Sequence, residues 1–151
     1  PFLFQFPPSF IANEENTKKL EKFLEYLGVN SYNIHKNSRI RFAFEFRHPS
    51  WFSKSIYQIF KGYQNITICL IDSPNWIFKE IITGEFVYIR MHGSKALYSS
   101  NYSDRELKIW ASRIKKYLKQ NLDIYIYFNN DAMGYAVKNA KKLLELICQN
   151  G

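Results

Sequence analysis

FAFEFRH, residues 42–48, is the stretch whose reading decides the fold. Phe42, Phe44 and Phe46 fall on one side of a two-residue alternation, and Ala43, Glu45 and Arg47 fall on the other, before His48 and Pro49 end the segment. A period of two marks a strand, because successive side chains leave opposite faces of a pleated backbone. The phenylalanine face asks for an apolar layer of helices. The other face presents a small residue, a carboxylate and a guanidinium, which suits an enclosed space in which charges are paired. A strand with one solvated face is the simpler alternative.

The flanking sequence alternates strands and helices. FLFQF at 2–6 reads as a strand closed by Pro7 and Pro8, which cannot continue a hydrogen-bonded ladder. Asn13 caps a helix with Glu14 and Glu15 in its first turn and Leu20, Phe23, Leu24 and Leu27 at helical spacing before Gly28. A polar loop, 29–39, follows and includes His35 as surface decoration. Next come a strand at 40–46, a helix from Trp51 to Lys61, and strands at 66–71 and 86–91. Ser103 and Glu106 have capping-box spacing, and Leu107, Trp110, Ala111, Ile114, Tyr117 and Leu118 form the stripe behind them. A strand at 123–129 precedes a last helix with Ala136, Ala140, Leu143, Leu144 and Ile147 on one face.

Strands that are mostly apolar on both faces and alternate with helices predict a parallel sheet covered by helices. Two architectures accommodate the strands: an open doubly wound sheet, or part of an eight-stranded β/α barrel of the TIM type. No Gly-rich phosphate loop follows the first strand, so the usual nucleotide fingerprint of the open sheet is missing. A barrel interior explains the alternation in 42–48 best.

The 151 residues, 46% of them hydrophobic, suit a single domain, 1–151. Apolar runs such as ITICLI at 66–71 are too short to span a bilayer, and no signal peptide opens the chain. Cys69 and Cys148 lie far apart, one in an apolar run and one in a helical pattern, which suits a reducing compartment. A cytoplasmic protein without a membrane partner is expected. The net charge of +8 raises nucleic acid as a partner. Most of the lysines sit on polar sides of helical patterns, where a solvated face is the ordinary explanation.

Polar groups collect at the strand carboxyl ends. Gln5 closes the first strand, Glu45 and Arg47 the second, and Asp72 the third. Tyr88, Arg90 and His92 share one face of the fourth, and Asn129 and Asn130 close the fifth. That end of a parallel α/β sheet is where ligands bind, whether the sheet is open or closed. A buried Glu45 needs a cation such as Arg90 or Arg47 close by. The bland reading is a Glu–Arg network that fills an interior and fixes register. Asn129, Asn130 and Asp131 read equally as turn formers capping the last helix. Trp51, Trp76 and Trp110 read first as packing residues.

LFQFPPSF at 3–10, FEFRHPSW at 44–51, DSP at 72–74, YIRMHG at 88–93 and YIYFNND at 125–131 resemble, in order and spacing, the recurrent blocks of the YecE-like family, domain of unknown function seventy-two. The resemblance runs end to end. It implies an eight-stranded β/α barrel of which this chain holds the carboxyl-terminal five strands, three more preceding them in the family. It also directs attention to Gln5, Glu45, Arg47, His48, Trp51, Asp72, Tyr88, Arg90, His92, Asn129 and Asn130 as motif positions, and assigns none of them an established role.

The first functional expectation is an enzyme or binding protein for a small polar, anionic or sugar-like metabolite, phosphorylated or not. Arg47 and Arg90 would hold a phosphate or carboxylate, and Glu45, His48 or His92 would move a proton in a hydrolase, isomerase or lyase step. Gly93 would let backbone amides approach the same anion. A metal variant would use Glu45, Asp72, His48 and His92 toward Mn, Mg or Zn, although no H-x-x-x-H or H-x-E spacing supports it. The second expectation is a nucleic-acid binding or processing protein, from the basic balance and from Tyr98, Tyr102 and Trp51.

Overall fold

The computed structural model describes residues 1–34 and 40–149. The chain divides into two compact units, Pro1–Leu70 with Lys79–Tyr88 and Ile71–Phe78 with Ile89–Gly151. His35 and the rest of 35–39 lie outside the described residues. Among those residues, no helix is long and apolar enough to cross a membrane.

In the first unit β1 (Phe2–Gln5), β2 (Phe42–Glu45) and β3 (Ile66–Ile68) form a parallel sheet in that order. Phe4 lies opposite Phe44, and Gln5 opposite Glu45. The phenylalanine face of β2 is an aromatic stack. Phe44 meets Phe4 at 5.2 Å and the edge of Phe60 at 5.4 Å, while Phe46 lies between Phe6 at 5.1 Å and Trp51 at 4.6 Å. Helices α1 (Glu14–Ile34) and α2 (Lys54–Lys61) cover it with Leu20, Leu24, Ile56 and Phe60. Asn13 starts α1 as expected, its Oδ1 accepting from the Asn16 N–H at 2.8 Å. Ser53 starts α2 by accepting from the Ile56 N–H.

Gly28 does not end α1, which runs on to Ile34. A Cβ at Gly28 would stand 2.7 Å from the Tyr63 ring, so the glycine makes room for an aromatic side chain instead of turning the backbone.

In the second unit a capping box of Ser103 and Glu106 opens α3 (Asp104–Leu118), as its spacing predicts. The sheet associated with this part of the chain contains β4 (Leu70–Asp72), β5 (Phe86–Met91) and β6 (Asp123–Phe128), in that order and again parallel. The last helix, α4 (Tyr135–Cys148), buries Ala136, Asn139 and Leu143. The expected face is therefore rotated: Ala140 is exposed, and Leu144 is 62% exposed. Asn139 takes a core position because every polar atom it buries has a partner.

The barrel expectation is corrected here. The strands pair as two separate three-stranded parallel sheets, and no TIM-type barrel is closed among the described residues. The run 66–71, read as one strand, is two. The Cys69 N–H still reaches the Phe44 carbonyl at 2.9 Å, but the Ile68 N–H is taken at 3.0 Å by the Thr83 hydroxyl oxygen. A side chain rather than a neighbouring strand satisfies that edge, and the ladder stops. An alternating apolar pattern cannot report such a break, because Thr83 lies fifteen residues away.

This places a buried amide in the charge of one hydroxyl. Thr83→Val keeps the shape and removes the acceptor, and should cost about 1–3 kcal/mol in urea unfolding. Thr83→Ser should recover most of it. Equal stability of the valine and serine variants would show that the Ile68 amide does not depend on this bond.

Candidate functional site

The first unit's candidates gather at the carboxyl ends of β1 and β2. Glu45 is fully buried, and Arg47 meets its Oε1 through Nε and Nη2, each at 3.0 Å. The Arg47 side chain is only 14% exposed, so this is a charge pair removed from water. His48 begins the short turn Pro49–Trp51, its Nδ1 accepting from the Ser50 N–H at 3.2 Å and lying 2.8 Å from the Ser50 hydroxyl. The Ser50 hydroxyl oxygen in turn accepts from the Ala12 N–H at 2.8 Å. These bonds make His48 a turn-holding residue. Trp51 is buried, its indole N–H donating to the Phe10 carbonyl at 2.7 Å, and its ring stacks on Phe10 and Phe46. It is a packing residue. Gln5 is exposed at the end of β1, and Tyr88 is buried on β5.

The second unit's candidates divide between two faces. Alternation along β5 sets Arg90 apart from Met91. Arg90 is half-buried, and its Nε donates to Asn129 Oδ1 at 2.7 Å. His92 follows, fully buried, with the rings of Trp76 and Tyr98 each edge-on at 5.3 Å.

Asp72 turns instead to α3. Trp110 Nε1 donates to its Oδ2 at 2.6 Å, and the Tyr102 hydroxyl hydrogen-bonds the same carboxylate. Burial holds the Asp72 carboxyl above the usual aspartate range, and the nearby Glu106 adds to this. The Trp110 bond, the Arg113 charge and Tyr102 pull the other way. Burial and the Asp72 charge likewise push the Tyr102 phenol up.

Gly93 is needed for its backbone: φ is 103°, and a Cβ would meet the Ala96 carbonyl oxygen at 2.5 Å. Its N–H donates to the Tyr102 hydroxyl at 3.0 Å, so that amide is already engaged. Asn130 is fully buried and donates through Nδ2 to the Ser100 carbonyl at 2.9 Å and to Asn139 Oδ1 at 2.8 Å. Asn139 also accepts from the Tyr102 N–H and donates to Asn101. Neither Asn129 nor Asn130 acts as a helix cap; one orients Arg90, and the other ties the 98–102 loop to α4. Among the described residues, no three His, Cys, Asp or Glu side chains converge as a metal-binding group.

Sequence reasoning took Trp110 for a packing residue and passed over Asn139. The available signal was chemical: a buried indole needs an acceptor, and an asparagine in an otherwise apolar helical stripe needs a partner.

A family signature described as "Protein of unknown function DUF72" matches residues 1–151. The chain is 26% identical to the UPF0759 protein YunF of Bacillus subtilis (strain 168), over 96% of this chain and 56% of that protein. A crystal structure of a DUF72 family protein from Thermotoga maritima MSB8 is similar with a TM-score of 0.78 at 28% identity, covering 97% of this chain and 57% of that one. One from Enterococcus faecalis V583 shares the fold with a TM-score of 0.79 at 20% identity, covering 99% and 59%. The chain thus spans 56–59% of the length of these relatives.

The raised Asp72 carboxyl fixes the sign of a pH effect. A carboxyl with a native pKa above its unfolded value holds its proton more tightly when folded. Its stabilising contribution is full below the unfolded value and is lost as pH rises through the native one. Asp72→Asn keeps an acceptor for the Trp110 indole and removes the charge. Relative to the parent it should be more stable at pH ~7 than at pH ~3, below the ordinary aspartate range, in urea unfolding. An equal difference at both pH values would show that the buried charge is not disfavoured.

Proposed function

The chain belongs to the DUF72 family of proteins of unknown function, and from that premise we propose that it binds a small anionic or sugar-like metabolite, phosphorylated or not, at the carboxyl ends of β5 and β6. The observation that carries this reading is the Arg90 guanidinium, held by Asn129 Oδ1 at 2.7 Å beside the turn that leads into His92. A guanidinium fixed through Nε is preorganised for a carboxylate or phosphate, because its fork matches those oxygens. Asn129 accepts from Nε and so orients the guanidinium plane. Arg47 is paired with the buried Glu45 carboxylate. Strand carboxyl ends are also where parallel α/β sheets bind ligands. If the site is catalytic, His92 is the group there whose chemistry can carry a proton.

Titration with inorganic phosphate tests this, followed by calorimetry and thermal denaturation. The chain should bind phosphate and gain thermal stability, and Arg90→Met should lose both effects. Phosphate binding that survives in Arg90→Met would place the anion elsewhere, and no binding by either protein would end the reading.

One observation favours the second reading, nucleic acid. Lys108, Lys115, Lys116 and Lys119 line a groove of about 800 Å³ between α3 and α4, together with Gln120 and Gln149. Lys115 answers the Gln149 carbonyl at 2.8 Å, the ordinary role of a cation at a helix carboxyl end. On this reading a labelled single-stranded oligonucleotide binds with log K falling linearly in log salt, and Lys116→Ala with Lys119→Ala makes that slope shallower. Salt-independent or absent binding would leave those lysines a solvated face.

A further inference from the structure

The contacts that hold the 48–51 turn also fix the hydroxyl of Ser50 in one orientation. The Ala12 N–H donates to its Oγ at 2.8 Å, the Ser50 N–H donates to His48 Nδ1 at 3.2 Å, and Oγ lies 2.8 Å from the same Nδ1. An N–H can donate only to a ring nitrogen that carries a lone pair, so Nδ1 is unprotonated and the neutral ring keeps its proton on Nε2. The short Oγ–Nδ1 contact is then a bond from the serine O–H to the imidazole. Oγ accepts one bond from Ala12 and retains a second lone pair.

Holding the turn asks only for a side-chain acceptor at position 48, which asparagine, aspartate or serine supplies. The imidazole adds a base to that acceptor. A serine whose hydroxyl hydrogen is held by a base within hydrogen-bond distance is the arrangement that activates a weak nucleophile.

Ser50 also lines a groove of about 490 Å³ between α1 and α2. Ser53, Ser55 and Ile56, from the start of α2, share its wall. The first intrahelical bond of α2 runs from the Tyr57 N–H to the Ser53 carbonyl, so the Lys54 and Ser55 N–H groups have no acceptor within the helix. Backbone donors for a developing oxyanion therefore belong to the same wall. Glu21 is the one charged side chain that lines the groove, which leaves no cation there to receive an anionic substrate.

We propose that Ser50 and His48 form a nucleophile–base dyad for acyl transfer, and that the substrate is a small uncharged carboxylic ester bound in this groove. Ser50 Oγ bonds the acyl carbon as its proton passes to His48 Nδ1. His48 gives that proton to the leaving oxygen as the ester C–O bond breaks, which frees the alcohol and leaves the acyl group on the serine. Water then attacks the same carbon as it loses a proton to Nδ1, and that proton returns to Oγ as the acid departs. The dyad uses the first unit alone and does not depend on the anion reading of Arg90.

Labelling with phenylmethanesulfonyl fluoride, located by peptide mass spectrometry, and hydrolysis of 4-nitrophenyl acetate test this on the parent, Ser50→Ala and His48→Asn. His48→Asn keeps an acceptor for the Ser50 N–H and removes the base, so it separates the turn from the chemistry. The parent should take one sulfonyl group, on Ser50, and turn over the ester. His48→Asn should keep the parent's melting temperature and lose about a hundredfold in labelling and ester cleavage, the lower end of what a positioned base contributes. Ser50→Ala should lose both reactions. No adduct on Ser50 in the parent, adducts on other side chains only, or equal labelling of the parent and His48→Asn would each overturn the dyad and leave His48 a turn cap. Ester cleavage as fast in Ser50→Ala as in the parent would do the same. A higher kcat/KM for the anionic 4-nitrophenyl half-ester of glutaric acid than for the acetate would overturn the uncharged substrate.

Discussion

Glu45 carries a charge on a residue with no exposed surface, and much of the first unit is arranged by that constraint. A buried carboxylate is tolerated only when a cation and its hydrogen bonds replace water, and Arg47, two residues along the same strand end, supplies both at 3.0 Å. The pair lies opposite an aromatic face. Sliding β2 by one residue would turn Phe44 toward the charges and Glu45 into the stack of Phe4, Phe6, Phe46 and Phe60, so the register that sets Gln5 opposite Glu45 is strongly specified. The alternation in FAFEFRH serves two environments at once, and neither is solvent.

Neutral hydrogen bonds do the corresponding work in the second unit. Asn139 replaces an aliphatic residue on the buried face of α4 and collects Asn130, Asn101 and the Tyr102 backbone. Tyr102 passes the constraint on, its hydroxyl joined to the Gly93 amide and to Asp72, which is held in turn by Trp110. Each donor and acceptor removed from such a network leaves another buried group unsatisfied, which makes the network expensive to break at any point. Its result is positional: both ends of the 93–102 loop are fixed.

What could be read from the sequence was mostly local. Strand and helix positions, the Asn13 cap and the Ser103–Glu106 box follow from short-range chemistry, and so does the need of Glu45 for a nearby arginine. The misread features depend on partners far along the chain. Gly28 looks like a helix stop until Tyr63 is packed against it, and 66–71 looks like one strand until Thr83 takes the Ile68 amide. Asp72 reads as a group closing its strand, and the sequence does not tell that its carboxylate meets Trp110 on α3. The same limit applies to the barrel: strand periodicity says that each strand is buried, but it cannot say which edges find one another.

The two arginines singled out by sequence show how burial separates residues of one type. Arg47 is bound to a fully buried carboxylate, so moving it toward a ligand would take a hydrogen-bonded charge away from Glu45. Arg90 donates through Nε to the Asn129 amide oxygen, which fixes the direction in which its remaining N–H groups point. Proximity to a strand end alone therefore does not distinguish a guanidinium committed to the fold from one that serves a site. The loop bearing Tyr98 shows the same limit in backbone terms, because its many hydrogen bonds support a left-handed conformation that the side chain itself disfavours.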